Sequence, residues 1–294
     1  DGDGDGDGDG DGDGDGDTTP PSVVFVDPAD GSMGVLDDAI FVVQFSEDMN
    51  QSTVEQAITG AWGDVVQFNW DGSMNTVTFQ VTELNYAQGS DDTVSPLSFE
   101  TIVAESAEDL AGNTMEQDFS WTVMTARHIT MTLTAVPALS GYATSDNFVH
   151  TDNNYATGDT SEPYWFRSLI TFDITSLPSD VVQWYSASFH AEQFQVVSNP
   201  YSDLGDVHIY DIDFANVSAS EAQNAATDLG PFSTDPSYGW RDATVTNAVD
   251  ADHPGVATQF MLKFDAQDVS NDGEADIASF LDDTAYLYVD VLAI

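Results

Sequence analysis

The stretch SASFHAEQFQVV, residues 186–197, carries the clearest structural signal in the sequence. Apolar and polar side chains alternate along much of Ser188–Val196, and Ala191 is the position that blurs the alternation. Because successive side chains of a strand point to opposite faces of a sheet, this pattern predicts a β-strand.

Further strands are predicted on both sides of this stretch, in a segment that begins near Ile129. Apolar runs separated by long loops predict strands at Ile129–Leu133, Leu169–Phe172, Ser186–Val197, Val207–Asp211, Thr258–Phe264 and Ala285–Leu292. Helical structure is expected at Ala219–Thr227, and one helical turn at Ile277–Leu281. The spacing favours a large β-sandwich.

The preceding segment has shorter strands and tighter turns. Strands are predicted at Val23–Val26, Ile40–Phe45, Val65–Trp70, Thr76–Thr82, Phe99–Ala104 and Phe119–Met124. Thr53–Ile58 reads as a helical turn with Ser52 as its cap. Six or seven strands in about a hundred residues are typical of a β-sandwich.

The charge of the chain is extreme. Its 52 Asp and Glu stand against four basic residues, which gives a net charge of −48. Such a field repels nucleic acid and anionic membrane surfaces and attracts cations. There is no cysteine, which excludes disulfides and thiolate metal sites, and no apolar run is long enough to span a bilayer. A start at Asp1 without Met fits a mature exported chain, so we expect a secreted, extracellular or cell-surface location.

Residues 1–17 form an Asp-Gly dipeptide repeat, and the spacer Thr18–Pro21 follows it. In an extended chain, alternate carboxylates would share one edge about 6.6 Å apart, and their repulsion would favour bound cations. Calcium suits such a tract, because it accepts six to eight carboxylate and carbonyl oxygens in loose geometry. The predicted metal ligands, with Ca²⁺ as the cofactor at several positions along the tract, are Asp1, Asp3, Asp5, Asp7, Asp9, Asp11, Asp13, Asp15 and Asp17.

One extended tract supplies too few oxygens for a calcium shell, since each Asp offers at most two. Chain winding or carboxylates from a second chain would complete it, which makes the tract an assembly element. The alternative is a solvated acidic tail. The acidic loops at Asp146–Asp152, Asp203–Asp206 and Asp268–Asp276 are further calcium candidates, and Asn271–Asp276 combines a turn with several oxygen donors.

The first segment resembles bacterial Ig-like domains of the SbsA type, which occur in surface-layer and adhesive proteins. The matching stretches are Asp27–Val35, Val43–Met49 and Asp109–Asn113. The resemblance implies an Ig-like sandwich that serves mainly as a spacer.

The second segment is similar to the DNRLRE family of jelly-roll-like β-sandwiches. Arg167–Pro178 carries the resemblance, with Ser186–Val196 and Gly239–Val245 in support, although the loops here are longer and more acidic. Some relatives of that fold bind polysaccharide. The predicted fold is therefore all-β. An Asp-Gly repeat arm and spacer at residues 1–21 precede an Ig-like β-sandwich at 22–125 and a larger jelly-roll-like β-sandwich at 126–294.

Catalysis has little support in the sequence. It contains no Gly-x-Ser-x-Gly motif and no P-loop, and its carboxylates are too numerous to single out an acid–base pair. The five histidines form no pair with zinc-ligand spacing. Tyr164–Phe166 and Gln183–Tyr185 are candidate sugar-stacking runs, with strand packing or subunit contact as the alternative.

The sequence thus predicts a non-enzymatic structural subunit of an extracellular filament or surface layer. Its expected partners are calcium and further copies of itself, with surface polysaccharide as a further candidate and without nucleic acid or membrane insertion. The alternative is a secreted carbohydrate-binding or adhesin module.

Overall fold

The computed structural model describes residues 16–82, 84–151 and 154–294. The chain forms two compact units. The first comprises residues up to Tyr86 together with Pro96–Ala126, and the second comprises Ala87–Ser95 together with Arg127–Ile294. Both are built almost entirely from antiparallel strands, which confirms the predicted all-β class.

The first unit has strands close to the predicted positions and one short helix, α1 (Gln51–Ala57). Its strands are β1 (Val23–Asp27), β2 (Phe41–Phe45), β3 (Ile58–Gly60), β4 (Val65–Trp70), β5 (Thr76–Val81), β7 (Ser98–Val103) and β8 (Phe119–Met124). The strand between β5 and β7 in sequence, β6 (Ala87–Gly89), belongs to the second unit.

Two sheets enclose the core of the first unit, in the orders β1-β2-β5-β4 and β3-β7-β8. In β2 every second residue is buried, as alternation predicts, and the Phe41 ring stacks on Phe79 of β5 with 5.3 Å between centroids. Val103 and Trp121 from the other sheet complete the same buried cluster. The arrangement is a sandwich of four and three strands.

The cap of α1 differs from the prediction. Asn50 is the N-cap, and its side-chain oxygen accepts a hydrogen bond from the Ser52 backbone N–H. Both residue types can cap a helix, so the sequence alone did not separate them.

The second unit is larger and has two short helices, α2 (Pro200–Asp203) and α3 (Thr246–Asp252). Besides β6, its strands are β9 (Arg127–Thr134), β10 (Gly141–Thr144), β11 (Val149–His150), β12 (Asn154–Asp159), β13 (Trp165–Asp173), β14 (Val181–Val197), β15 (Val207–Ile212), β16 (Ala226–Ser233), β17 (Gly239–Thr244), β18 (Ala257–Phe264), β19 (Ile277–Leu281) and β20 (Tyr286–Ala293).

These strands join one continuous hydrogen-bonded sheet, ordered β16-β15-β18-β13-β12-β19-β14-β20-β9-β6 along its main path. β13 and β14 are separated by two strands in this order, and yet Phe172 of β13 contacts Phe189 of β14 with 5.9 Å between centroids. The sheet therefore folds over and encloses a core, which gives the sandwich. The finer jelly-roll assignment stays a prediction.

Two local predictions in the second unit are wrong. Residues 219–227 hold only a 3₁₀ turn at Glu221–Gln223 before β16 begins at Ala226. Ile277–Leu281 is the strand β19 rather than a helical turn. Both stretches are short, and tertiary pairing decides such cases: β19 is hydrogen-bonded to β12 and β14.

Residues 87–95 lie inside the sequence of the first predicted sandwich, and they belong to the second unit. There β6 pairs in parallel with β9, and the Arg127 guanidinium donates hydrogen bonds to the Asp92 carboxylate and backbone carbonyl. Arg127 also contacts the Asp180 carboxylate and the carbonyl of Ile294. We call this set of contacts the Arg127 clasp.

Candidate metal centre

Most of the predicted calcium ligands, Asp1 to Asp15, lie outside the described residues. Asp17, the last of the nine, is described. A carboxylate oxygen of Asp17 lies together with one from Glu47 and one from Asp109, and all three are within 4.8 Å of one another. We call this group the Asp17 cluster.

Two loops of the first unit bring Glu47 and Asp109 together. Glu47 follows the end of β2 at Phe45. Met49, two residues later, is fully buried and forms a β-bridge with Asp109. The Leu110 N–H also donates to the Asp48 carbonyl at 3.2 Å. The two loops are thus fixed by backbone bonds, and the core residue Met49 anchors them.

Asp109 is only 2% exposed and is held by Asn113 four residues later. One carboxylate oxygen accepts from the Asn113 backbone N–H at 2.8 Å, and the other accepts from the Asn113 side-chain amide at 2.7 Å. Gly112 (φ +93°) supplies the left-handed residue that lets the chain turn back within this loop.

The same Asn113 holds Asp17. Its side-chain amide donates to the Asp17 carbonyl at 2.8 Å, and the Asp17 carboxylate accepts from the Thr19 N–H at 2.9 Å. The end of the Asp-Gly tract is therefore attached to the loop that carries Asp109, and its side chain turns toward Glu47.

The pKa values follow from these contacts. Hydrogen bonds from Thr19 lower the pKa of Asp17. Burial, followed by the neighbouring Asp17 carboxylate, raises the pKa of Glu47. Burial opposes ionisation of Asp109, but the hydrogen bonds from Asn113 and from the backbone of its loop outweigh it, so the pKa of Asp109 is lowered.

The three carboxylates face one another without a basic partner. Among residues 16–82, 84–151 and 154–294, the ion pairs involve none of the three. An oxygen-only, negatively charged set of this kind suits a hard divalent cation such as calcium or magnesium. Sequence reasoning missed Glu47 and Asp109, although both lie in stretches that carry the Ig-like resemblance.

The other acidic candidates have different outcomes. Asp146 accepts a hydrogen bond from Thr144 in its own turn, and Asp152 lies outside the described residues. The loops at 203–206 and 268–276 meet, with Asp203, Asp272 and Asp276 as a second carboxylate group. Within the described ranges, the groups of three residues close enough to hold a metal contain no histidine.

In the predicted sugar-stacking runs, Trp165, Phe166 and Trp184 are half-buried, whereas Tyr164 and Tyr185 are exposed. Trp165 packs under the Arg167 guanidinium at 4.6 Å, and Trp184 contacts His253 with 5.5 Å between ring centroids. Another aromatic group lies at the surface of this unit, with Trp240 as its exposed member. Trp240 is 55% exposed and contacts Tyr286 at 5.9 Å, and Tyr286 stacks on His190 at 4.6 Å.

Comparison with known proteins identifies the first unit. Residues 17–125 match the family model Big_5, a bacterial Ig-like domain. The match begins at Asp17 and includes all three members of the Asp17 cluster. It confirms the Ig-like part of the resemblance. No curated protein matches the sequence. Among the described residues, no helix is long and apolar enough to cross a membrane.

Solved structures share only a distant likeness with the whole chain. Native α2-macroglobulin from Escherichia coli, spanning domains MG0-NIE-MG1, is 11% identical over 88% of this chain and 71% of that one, with a TM-score of 0.28. A structure with xylogluco-oligosaccharide is 10% identical over 94% and 58%, with a TM-score of 0.19. The CBM51-2 and INT domains of Clostridium perfringens ZmpB are 8% identical over 88% and 48%, also with a TM-score of 0.19.

Proposed function

We propose that this chain is a non-catalytic structural subunit of an extracellular bacterial assembly, a filament or a surface layer. In this proposal the Asp-Gly tract binds calcium and links subunits. The Asp17 cluster carries the proposal, because it joins the last residue of the tract to two loops of the Big_5 domain that the buried Met49 anchors.

Calcium would have two effects at this cluster. It would offset two of the three negative charges on the converging carboxylates, which form no ion pair among the described residues, and it would hold the end of the tract at a defined point on the domain. The remaining tract, with eight further carboxylates, would then extend from a fixed position. In a row of ions shared between two such tracts, the second tract would supply the oxygens that one tract lacks.

Sedimentation velocity of the full chain tests this proposal. We expect a monomer in EGTA and larger species in about 1 mM CaCl₂, the upper end of the range for extracellular calcium modules. Renewed EGTA should reverse the change. Deletion of residues 1–15 should abolish it, and Glu47→Gln should weaken it. Glu100→Gln, the same charge change at an exposed position of β7, is the matched control. A wild-type chain that stays monomeric in calcium would sink the proposal.

A carbohydrate-binding adhesin is the second candidate, and the exposed side chain of Trp240 favours it. An aromatic ring that is open to solvent can stack on a sugar ring, and Trp240 of β17 is held beside the stacked rings of Tyr286 on β20 and His190 on β14. A glycan array probed with the full chain tests this candidate. Trp240→Ala should abolish a specific signal, whereas Phe148→Ala, which removes an equally exposed ring elsewhere in the unit, should keep it.

A further inference from the structure

Two acidic loops of the second unit, far apart in sequence, meet at one point. Asp203 is the last residue of α2, Asp272 lies in the loop between β18 and β19, and Asp276 directly precedes β19. A carboxylate oxygen from each lies within 4.8 Å of the other two. We call this group the Asp276 cluster.

Asp276 differs from an ordinary surface carboxylate because its exposure is 0%. Its Oδ1 atom accepts a hydrogen bond from the Asn199 N–H at 2.9 Å. Its Oδ2 atom is buried and has no hydrogen-bond partner among the residues that the structure describes. A buried carboxylate oxygen without a partner costs free energy, so something beyond these side chains is needed to satisfy it.

A second buried carboxylate fixes the backbone around this point. Asp159 at the end of β12 is 1% exposed, and it accepts from the Asp276 N–H at 3.0 Å and from the Ser270 N–H at 2.5 Å. Gly158 beside it has φ +134°, and a Cβ there would lie 1.8 Å from the Asp276 carbonyl oxygen. The close approach therefore requires glycine, and the loop is held in one geometry.

Among the described residues, no cationic side chain forms an ion pair with Asp159, Asp203, Asp272 or Asp276. A proton on Oδ2 of Asp276 would remove its charge but add an O–H donor that also needs a partner. A bound cation satisfies the oxygen and offsets the repulsion at once.

We propose that Asp203, Asp272 and Asp276 bind one calcium ion in the second unit. The donors are all oxygens, which favours a hard cation over zinc. The three carboxylate oxygens lie within 4.8 Å of one another, close enough to share one ion. Calcium accepts carboxylate, carbonyl and water oxygens in a loose geometry, as an irregular loop site offers, whereas magnesium requires a near-octahedral shell. Water and carbonyl oxygens would complete the shell.

Hydrogen-exchange mass spectrometry of the full chain tests this site locally. Peptides covering residues 198–206 and 268–279 contain the amides of Asn199, Ser270 and Asp276, which donate to the buried carboxylates. Calcium is added to the EGTA-treated protein to about ten times the dissociation constant of the site. Local unfolding that releases the ion should then become about tenfold rarer, and exchange of these amides should slow about tenfold. Asp276→Asn should lose this protection.

Two further variants make the test decisive. Asp272→Asn changes an exposed side chain, so it keeps the fold and should also lose the protection. Asp250→Asn removes the same charge from an exposed position of α3 and should keep it. The proposal is overturned if calcium leaves exchange in these peptides unchanged in the wild type, if Asp272→Asn retains full protection, or if magnesium protects equally at the same concentration. Neither peptide includes a residue of the Asp17 cluster, so this result and the assembly result are read separately.

Discussion

Replacing Asp109 tests the Asp17 cluster most directly, because this residue both holds a loop and faces the proposed ion. Its carboxylate accepts two hydrogen bonds from Asn113, at 2.8 Å and 2.7 Å, and is almost fully buried. Hydrogen bonds to a charged group contribute roughly 1.5–3 kcal/mol each. Both bonds join Asp109 to the same residue, so their free-energy contributions do not simply add. Asp109→Ala also removes the repulsion between Asp109 and Glu47, which reduces the loss further. We expect a loss of about 3 kcal/mol from the free energy of unfolding of the first unit in EGTA.

Calcium should enlarge this penalty. An ion at one hundred times its dissociation constant stabilises the wild type by about 2.7 kcal/mol, and a variant that does not bind gains nothing. The difference between the two proteins should then rise to about 5–6 kcal/mol. Asp109→Asn keeps one acceptor for Asn113, so it should lose about half as much in EGTA and still fail to respond to calcium.

Urea unfolding followed by pulsed hydrogen exchange measures the two units separately. Peptides from β7 and β8 report on the first unit, and peptides from β14 and β20 report on the second. Asn113→Ala, with the double variant, completes a mutant cycle that isolates the Asp109–Asn113 pair. An equal penalty with and without calcium would refute the role of Asp109 in binding, and a penalty below about 1 kcal/mol in EGTA would refute its role in holding the loop.

Three further predictions concern the second unit. Phe189→Ala removes a fully buried ring that contacts Phe172, Phe232 and Phe260, and it should cost about 3–5 kcal/mol in urea unfolding; Phe148→Ala at an exposed position should cost under about 0.5 kcal/mol. Arg127→Met breaks the Arg127 clasp; because Asp92 and Asp180 are half-exposed and can rehydrate, the cost should be about 2–3 kcal/mol, below that of a fully buried pair. Burial lowers the pKa of His190 below its ordinary value of 6.5, with Asp242 opposing the shift. The folded state thus favours the neutral ring, so the stability contributed by His190 is present above about pH 6.5 and is lost as the pH falls through its folded pKa.

Each of these has a clear contrary result. Equal losses for Phe189→Ala and Phe148→Ala would contradict the assignment of the core. An Arg127→Met variant as stable as the wild type would show that the clasp contributes nothing net. For His190, an NMR titration midpoint above 6.5, or identical pH dependence of stability in wild type and His190→Gln, would contradict the effect of burial.

Part of the strand pattern could be predicted from sequence, whereas short strands such as β3, β6, β10 and β11 were not predicted. Val65–Trp70 and Phe119–Met124 match their predicted bounds, because turn residues on both sides delimit a short run of β-forming side chains. The misassigned stretch Ile277–Leu281 has no such alternation, since Ala278, Ser279 and Phe280 are all buried between neighbouring strands. Only pairing with β12 and β14 makes it a strand.

The candidate sites were only partly predictable. Asp17 was found because the repeat that ends on it is so unusual. Glu47 and Asp109 lie 62 residues apart in sequence, and only the packing of Met49 against the second loop brings them together. The acidic loops at 203–206 and 268–276 were both recognised as candidates, but nothing in one sequence says that they share a site. Local composition marks carboxylates, and tertiary contacts decide which of them converge.

The Arg127 clasp has a consequence for tension. A pull applied between residues 127 and 294 acts on the adjacent ends of two antiparallel strands, because Arg127 of β9 lies opposite Ala293 of β20. Such a load peels the strands apart one residue pair at a time instead of shearing all their hydrogen bonds together. The hydrogen bond from the Arg127 guanidinium to the Ile294 carbonyl joins the two loaded ends, so we expect it to be among the first bonds to break. One arginine, in a chain with four basic residues, thus holds together the end at which the two strands begin to separate under force.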